Sequence, residues 1–252
     1  VKKLSNSEEY VWRYIQDHVV DIPNLSIVRL SELANVSTAT IVRTMKKKGY
    51  KGYTDFRHEI IRHNSKNVKY QNLKQADDEI RSVIFKSTSE VENTIKQLNI
   101  GVIEDSIQKL RAIPSIYIFA RGLSELIAKE MMMKFQLLGK QAEMFTDPNI
   151  IRILGNRIPK NSVAIFITLN GQTPELVDAA KKINKREITT ITFTTNDEGD
   201  ILPYSDLVFL GYKSDITYFP EFEVHSRLSL QVMTRILTDA YVVRTSDKKS
   251  GS

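Results

Sequence analysis

The sequence predicts two domains of different class: a small all-α domain, then an α/β domain built on a parallel sheet. Three observations carry this. Apolar residues recur at helical spacing through roughly the first sixty positions. Beyond Pro114, short β-branched runs alternate with helical stripes, the pattern of a parallel sheet covered on both faces. Charge is also uneven: residues 1–75 hold 14 Lys/Arg against 7 Asp/Glu, whereas 76–252 hold 22 against 23. A basic module joined to a near-neutral larger one fits a nucleic-acid binder plus a sensor.

The first helix is expected from Ser5–Ser7 to His18. Ser5 and Ser7 suit its cap, and Glu8 and Glu9 suit the positive end of its dipole. Val11, Tyr14, Ile15 and His18 form its stripe, with His18 read as a helix-end or core residue. Pro23 and Asn24 break the pattern. Leu30, Leu33 and Ala34 then mark one apolar helical face. Asn35 tolerates a left-handed turn, Val36 plugs the corner, and Ser37 caps a second short helix. Ile41, Val42 and Met45 face inward there. Ser37, Thr38, Thr40, Arg43 and Thr44 are left outward, short polar groups and one Arg of the kind that read base edges in a major groove. Lys46, Lys47, Lys48 and Lys51 follow, placed for phosphates. The plainer alternative is a helical hairpin with a solvated lysine run.

Residues 4–60 resemble the N-terminal helix-turn-helix of the RpiR family of bacterial transcription regulators. The resemblance rests on Leu4-Ser5, Ser7-Glu8, Leu25-Ser26-Ile27, Leu33-Ala34, Val36-Ser37, Ala39-Thr40, Val42-Arg43, Gly49-Tyr50-Lys51-Gly52-Tyr53 and Asp55-Phe56. Asn35 stands where that family often has Gly, and both tolerate the turn. The resemblance implies double-stranded operator DNA as a partner.

The chain's 252 residues suffice for two domains. It has no cysteine, which excludes a disulfide scaffold and thiolate metal sites and suits a cytoplasmic location. No apolar run approaches a membrane span, and no apolar signal core opens the sequence. Residues 1–75 are assigned to the first domain, with a polar linker over 63–78. Residues 79–244 form the second with its leading helices, and 245–252 a polar tail.

In the second domain a helical stripe runs through Ile80, Val83, Ile84, Val91, Thr94, Ile95 and Leu98. A helix over Ile103 to Ala112 follows. Strands are expected at Ser115–Ala120, Ala142–Phe145, Val163–Thr168, Glu187–Thr194 and Ser205–Leu210. Helices are expected at Glu125–Leu138, Thr173–Ile183 and Glu223–Tyr241. Ile127, Ala128, Met131, Met132, Phe135 and Leu138 face inward from the first of these. The methionine triplet at 131–133 reads as packing, with no soft metal ligand nearby.

Open parallel sheets bind ligands beyond the carboxyl ends of their strands. Two such ends carry Gly and hydroxyl or amide residues where a helix begins: Ala120-Arg121-Gly122-Leu123-Ser124 and Thr168-Leu169-Asn170-Gly171-Gln172-Thr173. Free N–H groups and hydroxyls there suit phosphate. Residues 98–243 resemble the sugar isomerase (SIS) domain. Its first loop, Gly-x-Gly-x-Ser, is matched by Ala120, Gly122 and Ser124, with Ala in place of the first Gly. Its second, Ser-x-Ser-Gly-Glu-Thr, is matched by Thr168 to Thr173, with Thr168, Asn170 and Gln172 as departures. Later segments are echoed by Thr195-Asn196 and by Leu202 to Asp206 before Leu207–Leu210. The resemblance implies a flavodoxin-like sheet, a homodimer or homotetramer, and a phosphosugar effector held by Gly122, Ser124, Thr168, Asn170, Gly171 and Thr173. It places enzymic groups of SIS isomerases near Glu221, Glu223 and His225, but no motif fixes these, and Gln172 lacks the family's acid. No catalytic residue, metal or cofactor is assigned. A phosphosugar-controlled regulator is the leading reading. A sugar-phosphate isomerase, or a DNA-binding protein whose second domain only oligomerises, are the alternatives.

Overall fold

The computed structural model describes residues 4–19, 22–66, 76–219 and 224–246. The chain divides into two compact units: the first runs to Ser89 and also takes in Ser214–Ile216, and the second comprises the rest from Glu90.

The first unit is helical. Helix α1 is Asn6–Asp17, a 3-10 turn covers Ile22–Asn24, and α2 (Ile27–Leu33), α3 (Thr38–Lys47) and α4 (Tyr53–Lys66) follow. Each start has a local cause. Glu8 Oε2 accepts the Ser5 N–H at 2.7 Å. Ser26 Oγ accepts the Arg29 N–H at 3.1 Å, and Ser37 Oγ that of Thr40 at 3.2 Å. Asn35, at φ 48°, makes the tight turn between α2 and α3. Val11, Ile15, Ile22, Leu25, Leu30, Ala34, Ile41, Met45, Tyr53, Phe56 and Ile60 pack into one core. Tyr53 fastens it by donating its hydroxyl to the Leu25 carbonyl at 3.0 Å, and burial drives its pKa up. His18 is a helix-end residue. It is exposed, and its ring stacks on Tyr14 at 4.1 Å.

Helix α4 continues to Lys66, so residues 63–66 of the expected linker are helical. Residues 67–75 lie outside the described residues, and α5 (Asp78–Gln97) begins inside the expected linker. The apolar stripe along α5 is not uniformly buried: Ile80, Val83, Ile84 and Ile95 are exposed, while Thr94 is buried.

The second unit continues with α6 (Ile100–Ala112), β1 (Ser115–Ala120), α7 (Ser124–Leu137), β2 (Gln141–Phe145), α8 (Pro148–Leu154) and β3 (Ser162–Ile167). Then come α9 (Pro174–Asn184), β4 (Thr189–Thr194), a 3-10 turn at Leu202–Tyr204, β5 (Leu207–Leu210) and α10 (Leu228–Ser246). The five strands are all parallel, in the order β2-β1-β3-β4-β5. This is the flavodoxin-like order, with its switch point between β1 and β3.

Alternation along the strands feeds two cores. Ile116, Ile118, Ile165, Ile167, Ile191 and Phe193 pack with residues of α6, α7 and α10. Phe119, Ala164 and Phe166 pack with residues of α8 and α9. All six residues of β3 are buried.

Other details also differ from expectation. Helix α8 was not foreseen: it spans seven residues and is capped by Asp147, which accepts the N–H groups of Asn149 and Ile150 at 2.9 and 3.0 Å. Leu138 was expected inside but is exposed, one residue past the end of α7. Strand β4 begins at Thr189 because Glu187 turns the chain at φ 59°. Helix α10 begins at Leu228. Glu223 and most of the expected polar tail lie outside the described residues, and Thr245 and Ser246 are helical.

Candidate nucleic-acid face and switch-point site

Helix α3 is amphipathic, and its outward side is narrower than its sequence suggests. Ser37, Thr38, Ala39, Arg43 and Lys46 are exposed. Ser37 and Thr40 hydroxyls meet at 2.9 Å, and Arg43 Nη2 donates to Thr40 Oγ1 at 3.3 Å. Thr40 is 8% exposed, so it orients Arg43 more than it offers a surface of its own. Thr44 corrects the sequence reading. It is fully buried and donates its hydroxyl to the Thr40 carbonyl at 2.9 Å, so it presents nothing outward. One turn back on an α-helix is the nearest acceptor for a Thr hydroxyl.

The lysines divide. Lys46 and Lys51 are exposed. Lys47 Nζ lies 2.6 Å from Glu8 Oε2, and that carboxylate is only 4% exposed. Hydrogen bonds from Lys47 and from the Ser5 backbone, against opposing desolvation, hold the Glu8 pKa down from 4.5 to about 2. Lys47 is thus bound into the α1–α3 contact, a tie that local reading of α3 misses. Lys48 Nζ sits 4.4 Å from the Trp12 ring centroid, a cation–π contact.

In the second unit, the sheet order sets the ends of β1 and β3 side by side. Both predicted loops therefore emerge at the switch point. Gly122 and Gly171 have φ of 60° and 66°, which L side chains rarely adopt. A Cβ on Gly122 would meet open space. One on Gly171 would lie 3.1 Å from the Gly199 Cα and 3.2 Å from Ile201 Cγ2. Gly122 and Asn170 are exposed, Thr173 is half-exposed, and Ser124 and Thr168 are buried at 2% and 4% exposure.

The second loop is pinned from behind. Thr168 Oγ1 accepts the Gly171 N–H at 3.3 Å. Leu169 O receives the Thr194 and Thr195 hydroxyls at 3.0 and 2.9 Å and the Thr195 N–H at 3.0 Å. Asn196 Nδ2 donates to Asn170 O at 2.9 Å. This is the structural use of Thr195-Asn196. At the opposite end of the sheet, Asp206 Oδ2 accepts the Thr190 N–H and hydroxyl at 2.8 and 3.0 Å, joining β4 to the start of β5.

The first loop is closed by carboxylates. Arg121 Nε donates to Glu175 Oε1 at 2.8 Å, and its Nη1 donates to Thr146 O at 2.6 Å. Glu125 Oε1 lies 3.6 Å from Arg121 Nη1 and accepts the Gly122 N–H at 2.9 Å. Burial would raise the Glu175 pKa. Its own backbone N–H, Arg121 and Arg152 outweigh burial and bring it below the ordinary value. Glu175 and Lys213 were missed in the sequence. Lys213 Nζ reaches Asn170 Oδ1 at 3.4 Å. Neither lies in a recognisable motif.

Of the groups considered for isomerase chemistry, Glu221 and Glu223 lie outside the described residues. His225 is half-buried, and its carbonyl accepts from Arg227 Nη1 at 2.7 Å. Among the described residues no group of three or more His, Asp or Glu is placed to hold a metal, and no helix is long and apolar enough to cross a membrane.

Comparison with known proteins agrees with this architecture. Residues 1–67 match the helix-turn-helix domain of the rpiR family, and residues 109–236 match the SIS domain. The HTH-type transcriptional regulator GlvR of Bacillus subtilis is 25% identical over 194 residues, 76% of this chain and 72% of its own. An HTH-type transcriptional regulator of Providencia stuartii is 23% identical over 248 residues, 96% of this chain and 87% of its own. Among solved structures, the Vibrio vulnificus NanR protein complexed with ManNAc-6P superposes with a TM-score of 0.61 at 20% identity, covering 98% of this chain and 90% of that one. The sugar isomerase domain of an RpiR transcription factor from Sphaerobacter thermophilus gives 0.62 at 14% identity, covering 68% and 93%. The chain belongs to the RpiR family of helix-turn-helix transcriptional regulators, with an SIS domain following its DNA-binding domain.

Proposed function

We propose that this regulator binds a specific operator through α3 and that a phosphosugar at the switch point sets its affinity for that operator. The observation that carries the reading is the pairing of two glycine-turned loops at adjacent strand ends, on a chain that also bears an exposed Arg43 held by a hydroxyl relay. Residues 1–75 are assigned to DNA and 79–244 to the effector. Ser37, Thr38 and Arg43 read bases, and Lys46 and Lys51 contact phosphates. Lys48, part-engaged by Trp12, flanks them. Gly122, Ser124, Thr168, Asn170, Gly171 and Thr173 surround the effector. A homodimer or homotetramer places two copies of α3 on a pseudo-palindromic site about one turn apart. The ligand acts by its differential affinity for two arrangements of the assembly. The controlled genes are those of sugar metabolism, and the chain itself performs no turnover.

The test is a thermal-shift screen of the full chain against phosphosugars, N-acetylmannosamine 6-phosphate among them since NanR carries that ligand, with parent sugars as controls. A ligand at a hundredfold excess over its Kd stabilises by about 2.7 kcal/mol. The hit then has to change the affinity for DNA selected from a random pool. A Ser124→Ala/Thr173→Ala variant should keep DNA binding and lose the response. A phosphosugar converted to its isomer, followed by NMR, would replace the sensor with an enzyme.

A further inference from the structure

The two loops differ in what answers an anion. Arg121 is the cation of the first loop, but Glu175 and Glu125 already neutralise it, and Glu125 also occupies the Gly122 N–H. An anion there has to displace a carboxylate. The second loop has no acid of its own: Thr168, Asn170, Gln172 and Thr173 are all neutral. The Thr173 side chain makes no cap bond to α9, so its hydroxyl is not committed to that helix's first turn. Lys213, three residues past β5, extends to Asn170 Oδ1 at 3.4 Å, and among the described residues no carboxylate lies within 4.0 Å of its ammonium. Its near neighbours are Gln97, Thr195, Asp197 and Tyr212, around a cavity of about 180 Å³ at the carboxyl ends of β4 and β5.

We infer that Lys213 is the charge-compensating residue of the phosphate subsite at the second loop, and so sets its preference for phosphorylated over neutral sugars. The inference rests on the phosphosugar reading above. A phosphate dianion held only by neutral hydroxyl, amide and backbone donors keeps its full charge uncompensated in a partly desolvated site. An ammonium on a long stem supplies that charge as a point, without needing a fixed planar geometry. Asn170 is the intermediary. Its side-chain oxygen holds Lys213 over the loop in the ligand-free state, and the ammonium swings to the phosphate when it arrives. Asn170 also fits better here than the Ser usual in this family, because its longer side chain carries an acceptor out to the lysine.

The test compares the wild-type full chain with Lys213→Met and Lys213→Arg. The probes are inorganic phosphate and the phosphosugar panel with its parent sugars, read as ligand-dependent Tm shifts titrated to apparent Kd. Lys213→Met should weaken phosphate and phosphosugar by about tenfold to a hundredfold. It should flatten the salt dependence of binding and leave the ligand-free Tm at the wild-type value. Lys213→Arg should retain most of the affinity. Equal affinity in wild type and Lys213→Met overturns the role of Lys213 and leaves the phosphosugar reading standing. Absence of any phosphate- or phosphosugar-specific shift in the wild type overturns both. If Lys213→Met loses parent-sugar binding in the same proportion, the lysine holds the sugar and not its phosphate, and the inference falls.

Discussion

Lys47 in the helical unit and Arg121 in the sheet unit are the same kind of residue in the sequence: a cation close to hydroxyl side chains in a stretch that invites an anion. In the fold each is taken by a glutamate far away along the chain, Glu8 at 2.6 Å and Glu175 at 2.8 Å, with side chains 4% and 11% exposed. What remains differs. On α3 the helical period still leaves Arg43 and Lys46 outward, beside the ion-paired Lys47 and the buried Thr44. At the switch point no period repeats the engaged cation, and Lys213, which reaches Asn170 Oδ1 at 3.4 Å, comes from a different strand end. A periodic surface tolerates errors of local reading that a loop-built site does not.

The largest effect expected distinguishes the two loops of the sheet unit. Gly171→Ala should cost about 3 kcal/mol, the left-handed penalty plus overpacking against the Gly199 backbone, which cannot turn aside. Gly122→Ala has the same φ sign but open space, and should cost only about 1–2 kcal/mol. Urea unfolding of the two variants measures this. Equal losses would mean that the second loop is not the tightly seated one.

Arg43→Ala tests the helical face. It should reduce discrimination between selected and random DNA by about 1–3 kcal/mol, read by competition binding. Equal weakening on both DNAs would make Arg43 a phosphate contact and leave Thr38 and Ser37 as readers. Next in size is Ser37→Ala, which removes the acceptor of the Thr40 N–H and should cost about 1 kcal/mol of stability. Because Ser37 also meets Thr40 Oγ1, the same variant should loosen Arg43 and lower discrimination slightly. Unchanged discrimination would break the relay.

Much of this fold was legible because it is written in short-range patterns. The strand cores alternate or run fully apolar, and Asn35 and Ser37 mark the α2–α3 turn with residues that have a local reason to be there. The loops were found by their glycines. Helix α8 was missed because its seven residues are too few to show a period between β2 and β3. Thr44 was misread because a Thr looks outward by composition, while its hydroxyl can be satisfied inside by the preceding turn. The captures of Lys47 by Glu8 and of Arg121 by Glu175 span 39 and 54 positions, and no local spacing rule reaches that far. The site was legible as backbone and illegible as charge.

The smallest effects separate the lysines of the helical unit. Lys46→Ala and Lys51→Ala should each weaken binding to any DNA alike and reduce the salt slope by about 1. Lys47→Ala should leave the slope unchanged and lower the unfolding midpoint of the helical unit, since it strands the Glu8 carboxylate in the α1–α3 contact. The pH dependence gives the same pair a second readout. The Glu8 pKa is depressed in the fold, from 4.5 to about 2, so its contribution is complete above about 4.5 and is lost as pH falls from there toward 2. Glu8→Gln should remove that part of the acid-limb slope. A Lys47→Ala variant with a reduced salt slope and an unchanged acid limb would return Lys47 to the DNA face, and the parallel with Arg121 would fail on the helical side.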